Sequence, residues 1–185
     1  TDVTLAGINE DQGNGPVTGG NAGATVTSLF GGRFSDVDTG NTMSGIVVVG
    51  NVVDTAKGQW QYSTDGTAWF DVGTVAAATG LALASATQLR FAPADNWFGT
   101  PGELSVKLLD NTHSGFTSGA TKTTLDSTTG TAASTSSVNL GTTVASVNDL
   151  PTISSTVIAA GLTETAGPDT SVATATGALT GTLTV

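Results

Sequence analysis

No part of this 185-residue chain sustains apolar residues at three-to-four spacing over a dozen positions, which removes long amphipathic helices from what it can fold into. Brief alternation takes the place of that period. Leu104, Val106 and Leu108 fall on one parity with Ser105 and Lys107 on the other, the pattern of a strand with one buried face. The same parity puts Asp110 at the core-side end of that strand, where the chain turns at Asn111. Val138, Leu140 and Val144 share parity on a last long strand. Further strands are expected near residues 25–30, 43–49 and 88–92. Residues 59–72 read as a hairpin in which Asp65-Gly66 supplies the positive backbone angles of a tight turn and the aromatics pair across the strands. Residues 114–137, rich in Ser, Thr, Gly and Ala, read as a long loop or an irregular edge hairpin. With 25 glycines punctuating so many short strands, the expected fold class is all-β, a β-sandwich.

The chain also echoes itself. Thr4-Leu5-Ala6-Gly7-Ile8-Asn9-Glu10 has a degraded counterpart in Ile158-Ala159-Ala160-Gly161-Leu162-Thr163-Glu164, and between them stands Val147-Asn148-Asp149-Leu150-Pro151-Thr152. Its proline ends one strand and locks an extended passage into whatever follows. A repeat of roughly 150 residues follows from that spacing. Residues 1–150 then form one repeat, and 151–185 form a linker and the incomplete N-terminal part of the next, with too few strands to cover a sheet. The abrupt start and finish inside apparent strands read as a fragment whose address signals lie elsewhere.

Fifteen acidic against five basic residues give a formal charge of −10, which repels nucleic acid and anionic lipid. No run of about 18 apolar residues is present for a membrane span, so membrane insertion is not expected either. Without cysteine there is neither a disulfide nor thiolate-bound zinc to tie the loops together, and something else must do so. Asp36-Val37-Asp38-Thr39-Gly40-Asn41 sets two carboxylates two residues apart in a turn. They either converge on a hard cation or bond their own backbone. The segment fails the EF-hand template at Gly40 and Val47. Gly19-Gly20-Asn21-Ala22-Gly23 fails the β-roll nonapeptide at Ala24. Glu10, Asp36, Asp38, Asp110, Asn148 and Asp149 are expected to gather at one pole of the sandwich, where a calcium ion taking about six to eight oxygens would relieve their repulsion.

These residues resemble the cadherin-like, Ig-like tandem repeats of giant bacterial surface proteins, RTX-type adhesins among them. The resemblance rests on Asn9-Glu10-Asp11, on Phe34-Ser35-Asp36-Val37-Asp38 and on Gly58-Gln59-Trp60-Gln61-Tyr62-Ser63-Thr64-Asp65-Gly66. It continues through Leu89-Arg90-Phe91-Ala92-Pro93, Trp97-Phe98-Gly99-Thr100 and the linker Val147-Asn148-Asp149-Leu150-Pro151-Thr152. It implies a Greek-key β-sandwich with Ca2+ between consecutive modules. The ligands it implies are Glu10, Asp36, Asp38, Asn148 and Asp149, with Asp110 similar in position to an acid that ends a core strand in these repeats. Two departures stand out: the acidic pair is not the Asp-Arg-Glu of animal cadherins, and Glu164 is followed by Thr165 and Ala166 where another acid is expected.

The function so implied is a calcium-stabilised extender module of a secreted, extracellular cell-surface adhesin or biofilm protein, with neighbouring repeats of the same chain as partners. The alternative is a module that binds a glycan or a host or biofilm surface through Trp60, Trp69 and Trp97. The same tryptophans also read as core and hairpin clasp. His113, alone in a polar turn, reads as incidental, and no Gly-x-Ser-x-Gly nucleophile motif appears, so an enzyme is not expected.

Overall fold

The computed structural model describes residues 2–12, 21–130, 132–149, 152–153 and 183–184. The chain divides into two compact units, Thr1–Val147 and Asn148–Val185. Twelve strands and one short helix make up the first unit in the order β1 (Val3–Thr4), β2 (Ile8–Asn9), β3 (Ala24–Thr25), α1 (Val26–Phe30), β4 (Met43–Asn51), β5 (Gly58–Ser63), β6 (Phe70–Asp71), β7 (Gly80–Ala84), β8 (Gln88–Pro93), β9 (Leu104–Asp110), β10 (Thr124–Leu125), β11 (Val138–Gly141) and β12 (Val144–Ala145). In the second unit, β13 (Thr152–Ile153) pairs antiparallel with β14 (Leu183–Thr184). The echo at 158–164, residues Leu150 and Pro151 of the linker, and Gly19-Gly20 lie outside the described residues.

The chain is mainly β. A six-stranded sheet runs β1-β11-β9-β4-β7-β10, a four-stranded sheet runs β3-β8-β5-β6, and β12 and β2 make a separate pair. Alternation along each strand sends one set of side chains into a common core. Ile46, Val48, Leu83, Val106 and Leu140 from the six-stranded sheet join Trp60, Tyr62, Leu89 and Phe91 from the four-stranded one. Strand β9 lies where alternation places it, β8 and β4 lie where strands are expected, and β4 extends two residues past its expected end, to Asn51. Strand β7, Gly-Leu-Ala-Leu-Ala, escaped sequence reading because its alternate residues are alanines, too small to mark a face.

Three local expectations are corrected. The segment near 25–30 is a strand for only Ala24–Thr25, after which Val26–Phe30 turns helical. Thr25 caps that helix, its hydroxyl accepting from the Ser28 amide at 3.2 Å, and Val26 and Phe30, four residues apart on one side, both enter the core. The Asp65-Gly66 hairpin is not closed by a two-residue turn. Strand β5 ends at Ser63 and β6 begins at Phe70, because Asp65 draws the amides of Thr67 and Ala68 onto its own carboxylate, each at 2.8 Å. The aromatic pair across that hairpin is Tyr62 and Phe70, with ring centroids 5.7 Å apart. The last long strand is broken between β11 and β12, where the buried Thr142 hydroxyl turns to the Ala6 carbonyl at 3.3 Å.

Residues 114–137 cover a second core on the far face of the six-stranded sheet. Strand β10 pairs with β7 there, and Phe116, Leu125 and Ala133 pack against Val47, Ala82 and Leu109. Its few apolar residues are the ones that touch the sheet. Between them Lys107 reaches from β9 to donate to the Ser127 carbonyl at 3.0 Å.

Candidate functional site

The register of the strands decides which acidic residues can meet. Strand β4 runs against β9, pairing Met43 with Asp110 and Asn51 with Leu104, so Asp110 stands at the end where the chain enters β4. Strand β11 also runs against β9, pairing Leu140 with Leu104, and continues through β12 toward the opposite end, where Val144 bridges Gly99. Glu10 belongs to that opposite end, since its amide donates to the Ala145 carbonyl at 3.0 Å. At about 3.3 Å per residue, Glu10 and Asp110 lie on the order of 30 Å apart along the strands. The expectation that Glu10, Asp36, Asp38 and Asp110 gather at one pole is therefore corrected: parity placed Asp110 at a strand end and turn signals placed Asp36 and Asp38, but neither carried information about which end each acid would occupy.

At the entry end, Asp36 and Asp38 sit in an exposed turn that leads into β4. Asp36 accepts from the Asp38 amide at 2.8 Å, and the Asn41 amide closes on the Asp38 carbonyl at 3.2 Å. The Thr42 amide donates to the Asn111 side chain at 3.4 Å, which brings this turn beside the end of β9. There Asp110 is buried to 7 % exposure and accepts from the Thr112 amide at 2.8 Å and the Thr112 hydroxyl at 2.5 Å. The turn that carries Asp36 and Asp38 thus runs into the end of β4 that lies beside Asp110 and Asn111. Among the described residues, no three His, Asp or Glu side chains stand close enough together to hold a metal ion as they are placed.

At the exit end, Glu10 is 4 % exposed and engaged with the chain leaving the unit. It accepts from the Val147 amide at 2.7 Å and the Ser146 hydroxyl at 3.3 Å. Asn148 and Asp149 belong to the second unit, where the Asn148 side chain donates to the Asp149 carbonyl at 3.3 Å. Asp2 is a further strand-binding carboxylate, accepting from the Asn139 amide at 2.9 Å, and sequence reading passed over it because an exposed acid before a strand carries no distinguishing signal.

The three tryptophans do not share a face. Trp60 is in the core, edge-on to Phe91 at 5.5 Å, with its indole N–H donating to the Gly102 carbonyl at 2.8 Å. Trp97 packs beside it, 6.1 Å from the same Phe91. Trp69 lies apart under the buried Arg90 guanidinium, 4.1 Å from the ring centroid. Arg90 also donates to Gln61, which donates in turn to Asp71 at 2.8 Å. Burial draws the Arg90 pKa below its ordinary value, and the ring and the two amide oxygens around it offset the lost water.

The class that this geometry defines is a mainly β unit in which Asp2 pairs at the level of Asn139 and Val147 leaves beyond Glu10. Compared with protein-family models, curated proteins and solved structures, the chain has no significant match.

Proposed function

We propose that this chain carries one cadherin-like, Ig-like Greek-key β-sandwich repeat and the opening of the next, and that it serves as a non-enzymatic extender in a secreted bacterial cell-surface adhesin or biofilm protein. The observation that carries this reading is the course of the chain through the first unit. Asp2 pairs at the level of Asn139, and Val147 leaves beyond Glu10 at the other end. A module entered at one end and left at the other adds its length to a rod when copies follow in tandem, and the linker and sequence echo supply the tandem arrangement. Neighbouring repeats of the same chain are then its partners.

Calcium is the stiffening ligand in this reading. Asp36, Asp38 and Asp110 are its candidate ligands at the end of the sheet where β4 begins, supplemented by turn carbonyls and water, as a hard cation prefers. Binding would require the exposed Asp36 and Asp38 side chains to leave their present positions and turn toward Asp110. Glu10 is already engaged in holding the exit strand, and Asn148 and Asp149 are candidates carried by the second unit. The test is a melting series in calcium against an equal ionic strength of sodium chloride. Calcium at about 100 times its dissociation constant adds roughly 2.7 kcal/mol, a rise in Tm of roughly 5–10 °C for a unit of this size. Asp110→Asn should abolish most of that rise. An unchanged Tm at millimolar calcium would overturn the calcium part of the reading.

A further inference from the structure

We infer that segments 2–10 and 139–147 form a shear clamp, which makes the first unit a force-bearing element. The inference rests on the reading of the module as a link held at both ends, and it names the feature that would carry the load. Strands β1 and β11 pair in parallel, and so do β2 and β12. Along the shared edge the amides of Asp2, Leu5, Ile8 and Glu10 donate to the carbonyls of Asn139, Gly141, Thr143 and Ala145 at 2.9–3.1 Å. The Thr142 hydroxyl adds a bond to the Ala6 carbonyl at 3.3 Å.

Each end of this zipper is latched by a carboxylate. Asp2 accepts from the Asn139 amide at 2.9 Å, and Glu10 accepts from the Val147 amide at 2.7 Å. The Arg33 guanidinium also donates to the Asp2 carbonyl, fastening the first residue of the clamp to the turn after α1. Beneath the bonds lie Leu5, Leu140 and Val144, all in the core, so water has little access from below. Gly7 permits the close approach midway: a Cβ there would stand 2.9 Å from the Thr143 hydroxyl.

Parallel pairing determines how these bonds meet tension. Load entering at Asp2 and leaving at Val147 runs along both strands in opposite senses, across slanted bonds that lie crosswise to it. All must yield together before either strand moves. Pulling from one end of the pair would instead open them in succession, each net bond being worth only about 1 kcal/mol. Strand β11 is anchored in its turn by antiparallel bonds to β9, so the load passes into the centre of the sheet.

The experiment is single-molecule stretching of the full chain in a calcium chelator. The chain has no cysteine, so Ser137→Cys provides a unique handle at an exposed residue beside Asn139. Pulled by its two ends, the first unit should open in one event that releases about 500 Å, at about 3.5 Å for each residue of Thr1–Val147. Pulled between its N-terminus and Cys at position 137, which peels β1 from β11, it should open at a force at least about twofold lower. Glu10→Ala should lower the end-to-end force, whereas Val48→Ala, in the core away from the clamp, should lower Tm more and the force less. Equal forces in the two directions, or forces that simply follow Tm across the variants, would overturn the clamp. Should Glu10→Ala not fold, the two pulling directions on the parent chain still decide. Because the stretching is done without calcium, its failure and a failure of calcium to raise Tm are separate results.

Discussion

At Asp65 one carboxylate organises a whole loop. It accepts from the amides of Thr67 and Ala68 and from the Ser63 hydroxyl, and these bonds to its charged form hold its pKa down to about 2. A carboxyl whose folded pKa lies below its unfolded value of about 3.9 stabilises the fold above that value, and loses its contribution as pH falls through the folded value. The loop's contribution is therefore complete above about pH 4 and fades toward pH 2. An NMR titration should place the Asp65 carboxyl midpoint near 2, with the Thr67 and Ala68 amides shifting at the same midpoint. A midpoint at the ordinary Asp value would mean that the loop is not held this way in solution. The dipeptide Asp65-Gly66 announced a turn in the sequence, but its length was illegible, since the bonds that set it come from residues two and three positions further on. Trp60 and Trp69 were equally opaque: nine residues apart in one hairpin, one faces the core and the other an arginine.

Between strands Gly45 is a tight constraint, where β4 passes β7. A Cβ at that position would stand 2.2 Å from the Leu83 carbonyl oxygen and 2.8 Å from Phe116, so the sheet and its cover would both have to part. Gly45→Ala should cost about 2 kcal/mol or more in urea unfolding, and a neutral result would show that the two strands have slack. Helix α1 gives a gentler case. Thr25→Ala should cost about 1 kcal/mol and Thr25→Asn nearly nothing, because Asn still offers an oxygen to the Ser28 amide. Strand β4 was legible as a run of branched residues from Ile46 to Val49, and β8 and β9 because large apolar residues alternate in them. Helix α1 was not, since Thr25-Val26-Thr27 alternates like a strand and only the spacing of Val26 and Phe30 hints at a turn of helix. The clamp hid for a different reason: parallel pairing of two short segments so far apart leaves no local pattern.

Over the first unit as a whole, acidic charge is the dominant field. With −10 on the full sequence, ion pairs such as Asp54–Lys57, at 3.2 Å, balance only part of the charge, and self-repulsion is relieved mainly by solvent ions. Sodium chloride raised from about 0.01 to 0.15 M, which shortens the screening length from about 30 to 8 Å, should lift Tm by a few degrees, and a flat response would mean that the charges are too dispersed to matter. Glu10 and Asp110 were legible in the sequence as strand-end residues and Asp36 and Asp38 as turn residues, and Asp110 is buried at the end of β9. Which pole each occupies was not, because that depends on the direction in which each strand runs in the sheet.

The two latched segments also govern timing. The Asp2 and Glu10 carboxylates each find a partner amide 137 residues further along, so the edge of the sheet stays open until almost the whole unit has been made. Closing so wide a loop is slow, so the paired edge is the last part of the sheet that a chain made from its N-terminus can complete. Lateness at that one edge is a product of strand order.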